Sequence, residues 1–193
     1  MRHAAIILAA GDSGRMGTDK ARLPLGPVTV VEHVIAVHRA AGAGNIVVVS
    51  GRNTSALAGL PLDAVLVENP RPEEGMFSSV QAGVRVIAPE TEAFFIHPVD
   101  IPLVPVSVLE RILEAAEGHP GRMVLVPAAG GRRGHPPLIR AGLKATILAE
   151  KGDGGLRAVL NRAGVFEVAC GEPGILRDMD TPETYLQLKQ QFS

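Results

Sequence analysis

The stretch that decides the fold is Ala4–Ala10 (AAIILAA), a continuous apolar run that leads directly into the glycine-rich segment Gly11–Lys20 (GDSGRMGTDK). A short run without polar positions is typical of a strand that is buried on both faces. Comparable runs recur along the chain at Asn45–Ser50, Ala64–Val67, Ala93–His97 and Met123–Val126. Strands of this kind form the interior of a parallel sheet that is covered by helices.

Segments with helical periodicity lie between these runs. Apolar residues recur at helical spacing from Val30 to Ala41, and Gly42 ends that segment. A last helix should begin near Thr181, with Pro182 in its first turn. Further helices are predicted at Ser78–Ile87, Val106–Ala116 and Asp153–Arg162. The alternation predicts a three-layer α/β domain with a mostly parallel sheet, spanning residues 1–193 as one unit.

Composition argues against several classes of function. The chain has 193 residues, 3% aromatic residues and a formal net charge of −1. Few aromatic residues and no long basic run argue against nucleic acid or an anionic membrane as a partner. The single cysteine, Cys170, cannot form an internal disulfide, which favours a reducing, cytoplasmic setting. No apolar run approaches the roughly 20 residues that cross a bilayer.

The glycine-rich segment after the first strand is suited to binding phosphate. Its glycines let the backbone approach a ligand, while Arg15 and Lys20 can bind phosphate oxygens. It is neither a Walker A loop, because Ala21 follows Lys20, nor a GxGxxG fingerprint, because its glycines are three residues apart. The alternative to phosphate binding is a flexible, glycine-rich turn in which the Arg15 and Lys20 side chains are solvated.

The segment LAAGDSGRMGTDK (residues 8–20) resembles the N-terminal signature of the MobA-like NTP transferase family, and most of all its molybdenum cofactor cytidylyltransferase branch. Gly14 is a minor departure, since the family often has a polar residue there. The other matching elements follow in the family's order: Asn69-Pro70 with Glu74–Val80, Val99–Pro102, Gly131–Pro136, Gly152–Arg157 and Asp178–Glu183.

This resemblance implies a Rossmann-like nucleotide-diphospho-sugar transferase fold and a Mg²⁺-dependent transfer of CMP from CTP to the molybdenum cofactor, with release of pyrophosphate. Ala9, Ala10 and Gly11 match the cytidine form of the family loop. The implied partners are CTP or another NTP, a phosphorylated pterin and, as for some relatives, a molybdoenzyme or its maturation factors. Alternatives are guanylyl transfer, transfer to a sugar or alditol phosphate, and a carrier that binds nucleotide or cofactor without turnover. A dinucleotide-dependent oxidoreductase is disfavoured by the broken fingerprint.

Nucleotidyl transfer is an in-line displacement at the α-phosphorus, so the protein must position its substrates and neutralise charge. Arg15, Lys20 and Asp100 are the predicted catalytic residues, the two cations acting on the leaving phosphates. The predicted nucleotide-binding residues are Leu8, Ala9, Ala10, Gly11, Gly17 and Ser79. Ser78 and Ser79 could instead cap a helix.

Asp100 is the first candidate for a Mg²⁺ ligand, because it follows a buried strand whose carboxyl end should face the ligand. Asp178 and Asp180 are candidates to share the metal, and strand alternation would point both to one face. The alternatives are that Asp100 caps the helix after Pro105, and that Asp180 or Thr181 caps the last helix.

His135, Asp153 and Arg157 are the predicted acceptor-binding residues, because the resemblance assigns their segments to the second substrate. His135 could alternatively bond its own backbone in a turn, and Asp153 is a natural helix cap. Four other histidines lack metal-ligand spacing and are predicted to be structural or solvated: His33, His38, His97 and His119.

Overall fold

The computed structural model describes residues 1–11, 19–51, 54–151 and 154–192. The strands are β1 (His3–Leu8), β2 (Pro24–Leu25), β3 (Val28–Thr29), β4 (Asn45–Ser50), β5 (Val65–Glu68), β6 (Ala93–Pro98), β7 (Val124–Ala129), β8 (Arg132–Arg133), β9 (Leu138–Arg140) and β10 (Val165–Ala169). The α-helices are α1 (Val30–Ala40), α2 (Thr54–Ala58), α3 (Met76–Val86), α4 (Val106–Gly118), α5 (Lys144–Ala149), α6 (Gly155–Ala163) and α7 (Pro182–Lys189). Among these helices, none is long and apolar enough to cross a membrane.

The main sheet has the strand order β10-β7-β9-β6-β1-β4-β5. Parallel pairing joins β6, β1, β4 and β5, and also joins β10 to β7. Strand β9 runs antiparallel between β6 and β7, and β8 pairs antiparallel with β7. The predicted mostly parallel sheet is therefore confirmed, with the antiparallel strands confined to the half that contains β7.

Helices cover both faces of the sheet because its strands are apolar on both sides. On one face, Ile6 and Val49 pack with residues of α3, α5 and α6. On the other, Ile7 and Val48 pack with α1, while Phe95 packs with α4. Alternate residues of one strand thus enter separate cores, which gives the three layers predicted from the uninterrupted apolar runs.

Local sequence fixes where the helices on either side of β1 begin and how closely they approach the sheet. Helix α1 begins at a capping box in which Thr29 and Glu32 satisfy each other's backbone N–H groups. Helix α3 packs against β1 at Gly83, where an added Cβ would lie 2.3 Å from Ile6 Cγ2. A larger residue at position 83 would push α3 away from the sheet.

The connection that follows β1 and the one that follows β6 lead towards opposite edges of the sheet, and the ligand crevice opens between them. From β1 the chain continues through α1 to β4 and then β5, whereas α3 carries it back across β1 to β6. The strand order therefore reverses between β1 and β6. Open α/β sheets bind ligands outside the carboxyl ends of the strands at such a point, and Asp100 and the segment after Leu8 both lie there.

Candidate active site

The segment after β1 is held in place by its two neighbouring strands. Ala9 N donates to the Val49 carbonyl at 2.8 Å, and Val99 N donates to the Leu8 carbonyl at 3.0 Å. A cleft of about 320 Å³ opens beside this segment. Its lining includes five of the predicted nucleotide-binding residues: Leu8, Ala9, Ala10, Gly11 and Ser79. We call it the first cleft; Arg15 and Gly17 lie outside the described residues.

Lys20 brings together the carboxylates of two distant segments at the edge of the first cleft. Lys20 Nζ lies 2.5 Å from Asp180 Oδ1 and 3.6 Å from Asp100 Oδ2. The Lys20 side chain is 18% exposed, against 30% and 33% for the two carboxylates. Within the part of the chain that the structure describes, this half-buried group therefore pairs one cation with two anions.

The environment of Asp100 favours its protonated form more than water does. Burial is the main cause and raises the pKa of this carboxyl; the nearby Lys20 ammonium lowers it, and the Asp180 and Asp178 charges raise it further. A carboxylate must be ionised to bind a cation, and ionised Asp100 is energetically unfavourable in the free protein. A second positive charge between Asp100 and Asp180 would relieve that cost.

The structure bears on one alternative for Asp100 and Asp180, that each caps a helix. Pro105 occupies the N-cap position of α4, and Thr181 forms the capping box of α7 with Thr184. Neither aspartate is needed as a helix cap. Met179 N donates to the Asp100 carbonyl at 2.8 Å, and this bond brings Asp180 to the site.

The pairing of Asp178 with Asp180 on one strand face is not found. Residues 177–180 form no strand, and Asp178 is exposed to solvent. Among the described residues, no group of three or more His, Cys, Asp or Glu side chains is arranged to hold a metal ion. Mg²⁺ is commonly bound by one or two carboxylates together with substrate phosphates and waters. The donor set of Asp100 and Asp180 fits such a partly substrate-held ion.

A buried asparagine connects the two serines at the start of α3. Asn69 Oδ1 accepts from Arg71 N at 3.0 Å, so its Nδ2 must face the serines. That Nδ2 donates to Ser78 Oγ at 2.7 Å and to Ser79 Oγ at 3.0 Å. Gly75, rather than either serine, holds the N-cap position of α3. Ser78 also donates towards the Gly75 and Arg71 carbonyls, whereas Ser79 lines the first cleft.

A second cleft of about 740 Å³ lies on the β7 side of α3, and three of its described lining residues are arginines. Two of the three predicted acceptor-binding residues, His135 and Arg157, line it; Asp153 lies outside the described residues. Arg132 and Arg157 are exposed to solvent. Arg133 is held by Glu167, with Nε to Oε1 at 2.8 Å. We call this the second cleft.

His135 is fixed by its backbone, and its ring remains able to accept a hydrogen bond. Its N–H donates to the Ile175 carbonyl at 2.9 Å. Its Nδ1 is buried and, among the described residues, has no hydrogen-bond partner. Burial lowers the pKa of His135 and favours the neutral ring. The alternative of a ring bonded to its own turn is not what the structure shows.

Three residues of the site lie within the matched motifs, but the sequence predicts no role for them. Asn69 organises the serines, Arg132 adds charge to the second cleft, and Met76 lines both clefts. The dipeptide Asn69-Pro70 at the end of a strand could have signalled a side chain that orders the following turn. No local pattern indicates that Met76, in a helical apolar run, lies at an exposed junction.

Comparison with known proteins places the chain in a family. The model of the MobA-like NTP transferase domain matches residues 5–167. The molybdenum cofactor cytidylyltransferase of Escherichia coli (strain K12) is 24% identical over 191 residues, covering 97% of this chain and 96% of that protein. Nicotine blue oxidoreductase of Paenarthrobacter nicotinovorans is 31% identical over 195 residues, covering 95% and 94%.

Solved structures show the same architecture over nearly the whole chain. A nucleotidyl transferase from Methanothermobacter thermautotroptrophicus has a TM-score of 0.82 and 26% identity, covering 99% of this chain and 97% of that one. A Mycobacterium tuberculosis protein, Rv0371C, solved in complex with manganese, has a TM-score of 0.77 and 25% identity, covering 98% of each chain. The implied nucleotidyltransferase fold is confirmed, and the chain belongs to the MobA-like NTP transferase family.

Proposed function

We propose that this protein transfers CMP from CTP to the molybdenum-bound pterin cofactor and releases pyrophosphate, with Mg²⁺ as the metal. One observation carries the proposal: Lys20, Asp100 and Asp180 converge beside the first cleft, at the point where the strand order reverses. A cation and two carboxylates at this place suit a metal-bound triphosphate. The cytidylyltransferase named among the relatives and the Ala9-Ala10-Gly11 loop support CTP as the donor.

The two clefts divide the work of the reaction. The first cleft holds the nucleotide against the backbone of Leu8–Gly11, and the second holds the acceptor near His135 and Arg157. The acceptor's phosphate oxygen attacks the α-phosphorus, a new P–O bond forms, and the bond to the β-phosphate breaks. Because no group of the protein needs to become covalently attached, rate enhancement comes from orientation and charge neutralisation.

Asp100 and Asp180 would hold the divalent cation, and the bound cation would neutralise charge on the reacting phosphates. Support for a metal of this kind comes from the related protein that was solved with manganese. Lys20 already lies between the two carboxylates, so it is within reach of the same phosphates and can stabilise the departing pyrophosphate. Arg15, outside the described residues, is proposed to share that role.

The direct test is to titrate the purified protein with CTP, GTP, ATP and UTP in the presence of Mg²⁺ by calorimetry, followed by a transfer assay. Preference for CTP and formation of the cytosine dinucleotide cofactor support the proposal. Preference for GTP would assign the same mechanism to guanylyl transfer. Transfer to a sugar or alditol phosphate alone would replace the acceptor, and tight nucleotide binding without turnover would indicate a carrier.

A second candidate is an oxidoreductase, which is favoured by the 31% identity to nicotine blue oxidoreductase. The spacing of Gly11, Gly14 and Gly17 does not match the dinucleotide fingerprint. The two candidates are separated by titration with NADH and NADPH. Binding of either at micromolar concentration, with no affinity for any NTP, would overturn the transferase proposal.

A further inference from the structure

Met76 is an apolar side chain left in solvent at the first position of α3. It is 57% exposed, whereas Phe77, Ser78 and Ser79, which follow it, are buried. Gly75, with φ of +86°, turns the chain into the helix immediately before it. A single exposed apolar residue is common on protein surfaces and needs no function. The position of Met76 between the clefts is what distinguishes it.

Of the described residues that line the two clefts, Met76 is the one that both clefts share. The first cleft contains Lys20 and Asp100, while the second contains His135 and Arg157. A ligand in either cleft can therefore cover part of the exposed Met76 surface. Two ligands bound at once would cover it from both sides.

We propose that Met76 contacts both substrates at once and sets the position of the acceptor against the nucleotide; this inference rests on the proposed function. A methionine suits such a junction, because its unbranched thioether adapts to irregular apolar surfaces. Both substrates contain heterocyclic rings beside their phosphates, so each can present an apolar surface to it. Orientation of two substrates is the main task of the protein in an in-line displacement.

The test compares Met76→Ala with Met76→Leu, and with Val86→Ala as a matched control. Val86 ends the same helix, is 42% exposed, and lies about 15 Å from position 76 along the helix axis. Because Met76 is exposed and alanine favours helices, Met76→Ala should fold with an unchanged melting temperature. We expect it to lower kcat/KM for the molybdenum-bound pterin cofactor about tenfold, the effect of losing one well-covered apolar contact. Met76→Leu should restore most of that loss.

A binding measurement separates a bridging role from a purely structural one. In the unchanged protein, a CTP analogue with a methylene group in place of the α,β-bridging oxygen should tighten binding of the pterin cofactor. Met76→Ala should reduce that tightening, whereas Val86→Ala should preserve it. Unchanged kinetics and unchanged coupling in Met76→Ala, with an active parent protein, would overturn the role of Met76 alone. An inactive parent protein would overturn the proposed function and this inference with it.

Discussion

The two clefts differ in how many of their polar side chains are already paired. The first has its side chains joined before any ligand arrives: Lys20 is paired with Asp180, and Asn69 holds Ser79. The second presents Arg132 and Arg157 to solvent. A preformed group loses little entropy when a ligand binds, whereas exposed arginines are ordered by the ligand itself. Changes in the first cleft should therefore alter turnover and stability, and changes in the second should alter acceptor binding.

The sharpest test of this contrast is Asp100→Asn, which removes a charge from the first cleft at almost constant volume. We expect turnover to fall by about 10²- to 10³-fold, the usual cost of losing one electrostatic contact to a transition state. Transfer activity measured at saturating substrates checks this. The matched control is Asp63→Asn, which should leave activity unchanged. Its carboxylate forms an ion pair with Arg39 and is 79% exposed.

Full activity of Asp100→Asn would contradict its assignment as a metal ligand. Its fold should persist, because Asp100 contributes its backbone carbonyl, not its side chain, to the bond with Met179 N. Circular dichroism and the melting temperature distinguish loss of chemistry from loss of structure.

A second test concerns the buried histidines behind the first cleft. His97 Nε2 lies 2.9 Å from the Ile101 carbonyl, which can only accept, so this nitrogen carries the proton. His97 Nδ1 then accepts from His38 Nε2 at 2.8 Å. Burial lowers the pKa of His97 to about 4 and that of His38 well below its usual value. Both rings are therefore neutral parts of the core, so of the two predicted possibilities, structural or solvated, the structural one holds for His38 and His97.

Stability should consequently fall as the solution is acidified. Below pH 6.5 the unfolded chain binds protons at His97 that the folded chain takes up only near pH 4. The shift corresponds to about 3 kcal/mol lost between those limits. Asp100, whose pKa is raised, acts in the opposite direction. Urea unfolding at several pH values measures the slope; His97→Gln, whose amide can still donate to the Ile101 carbonyl, should flatten it. An equally steep slope in that variant would contradict the assignment to His97.

A third test is Lys20→Ala, which removes the cation that joins the two carboxylates. NTP binding should weaken between about 10- and 100-fold, because a hydrogen bond to a charged group is lost. Calorimetry with CTP and Mg²⁺ measures the change, and Lys151→Ala, at an exposed lysine, is the control. Unchanged affinity would exclude a phosphate role for Lys20 and leave it as a structural ion pair.

The sequence predicted the first cleft better than the contacts within it. The apolar run Ala4–Ala10 indicates a strand that is buried on both faces. Asp100 and Gly11 follow the carboxyl ends of β6 and β1, where the strand order reverses, and they therefore lie in the same cleft. The pairing of Lys20 with Asp180 spans 160 residues and depends on the bond from Met179 N to the Asp100 carbonyl, which brings Asp180 to the site. Such long-range contacts have no local signal, so the resemblance supplied the residues and the structure supplied their arrangement.

The half of the sheet around β7 was less predictable for a different reason. Strand β9 has three residues and follows Pro136 and Pro137, so it is too short for a periodicity to show. In β10, the charged Glu167 interrupts a run of apolar residues. Its side chain lies on an exposed face, where it pairs with Arg133. Edge and antiparallel strands lack the uninterrupted apolar pattern that identifies central parallel ones.

The mildest test addresses the second cleft through Arg157→Ala. Arg157 is exposed, so its removal should leave the melting temperature and CTP affinity unchanged. The KM for the pterin cofactor should rise about fivefold to tenfold, since a partly solvated charge-assisted bond is lost. Arg85→Ala, at an exposed arginine of α3 that does not line either cleft, is the control. Equal losses of acceptor and CTP affinity in Arg157→Ala would contradict the division of labour between the clefts, because they would show that the exposed arginine also orders the nucleotide.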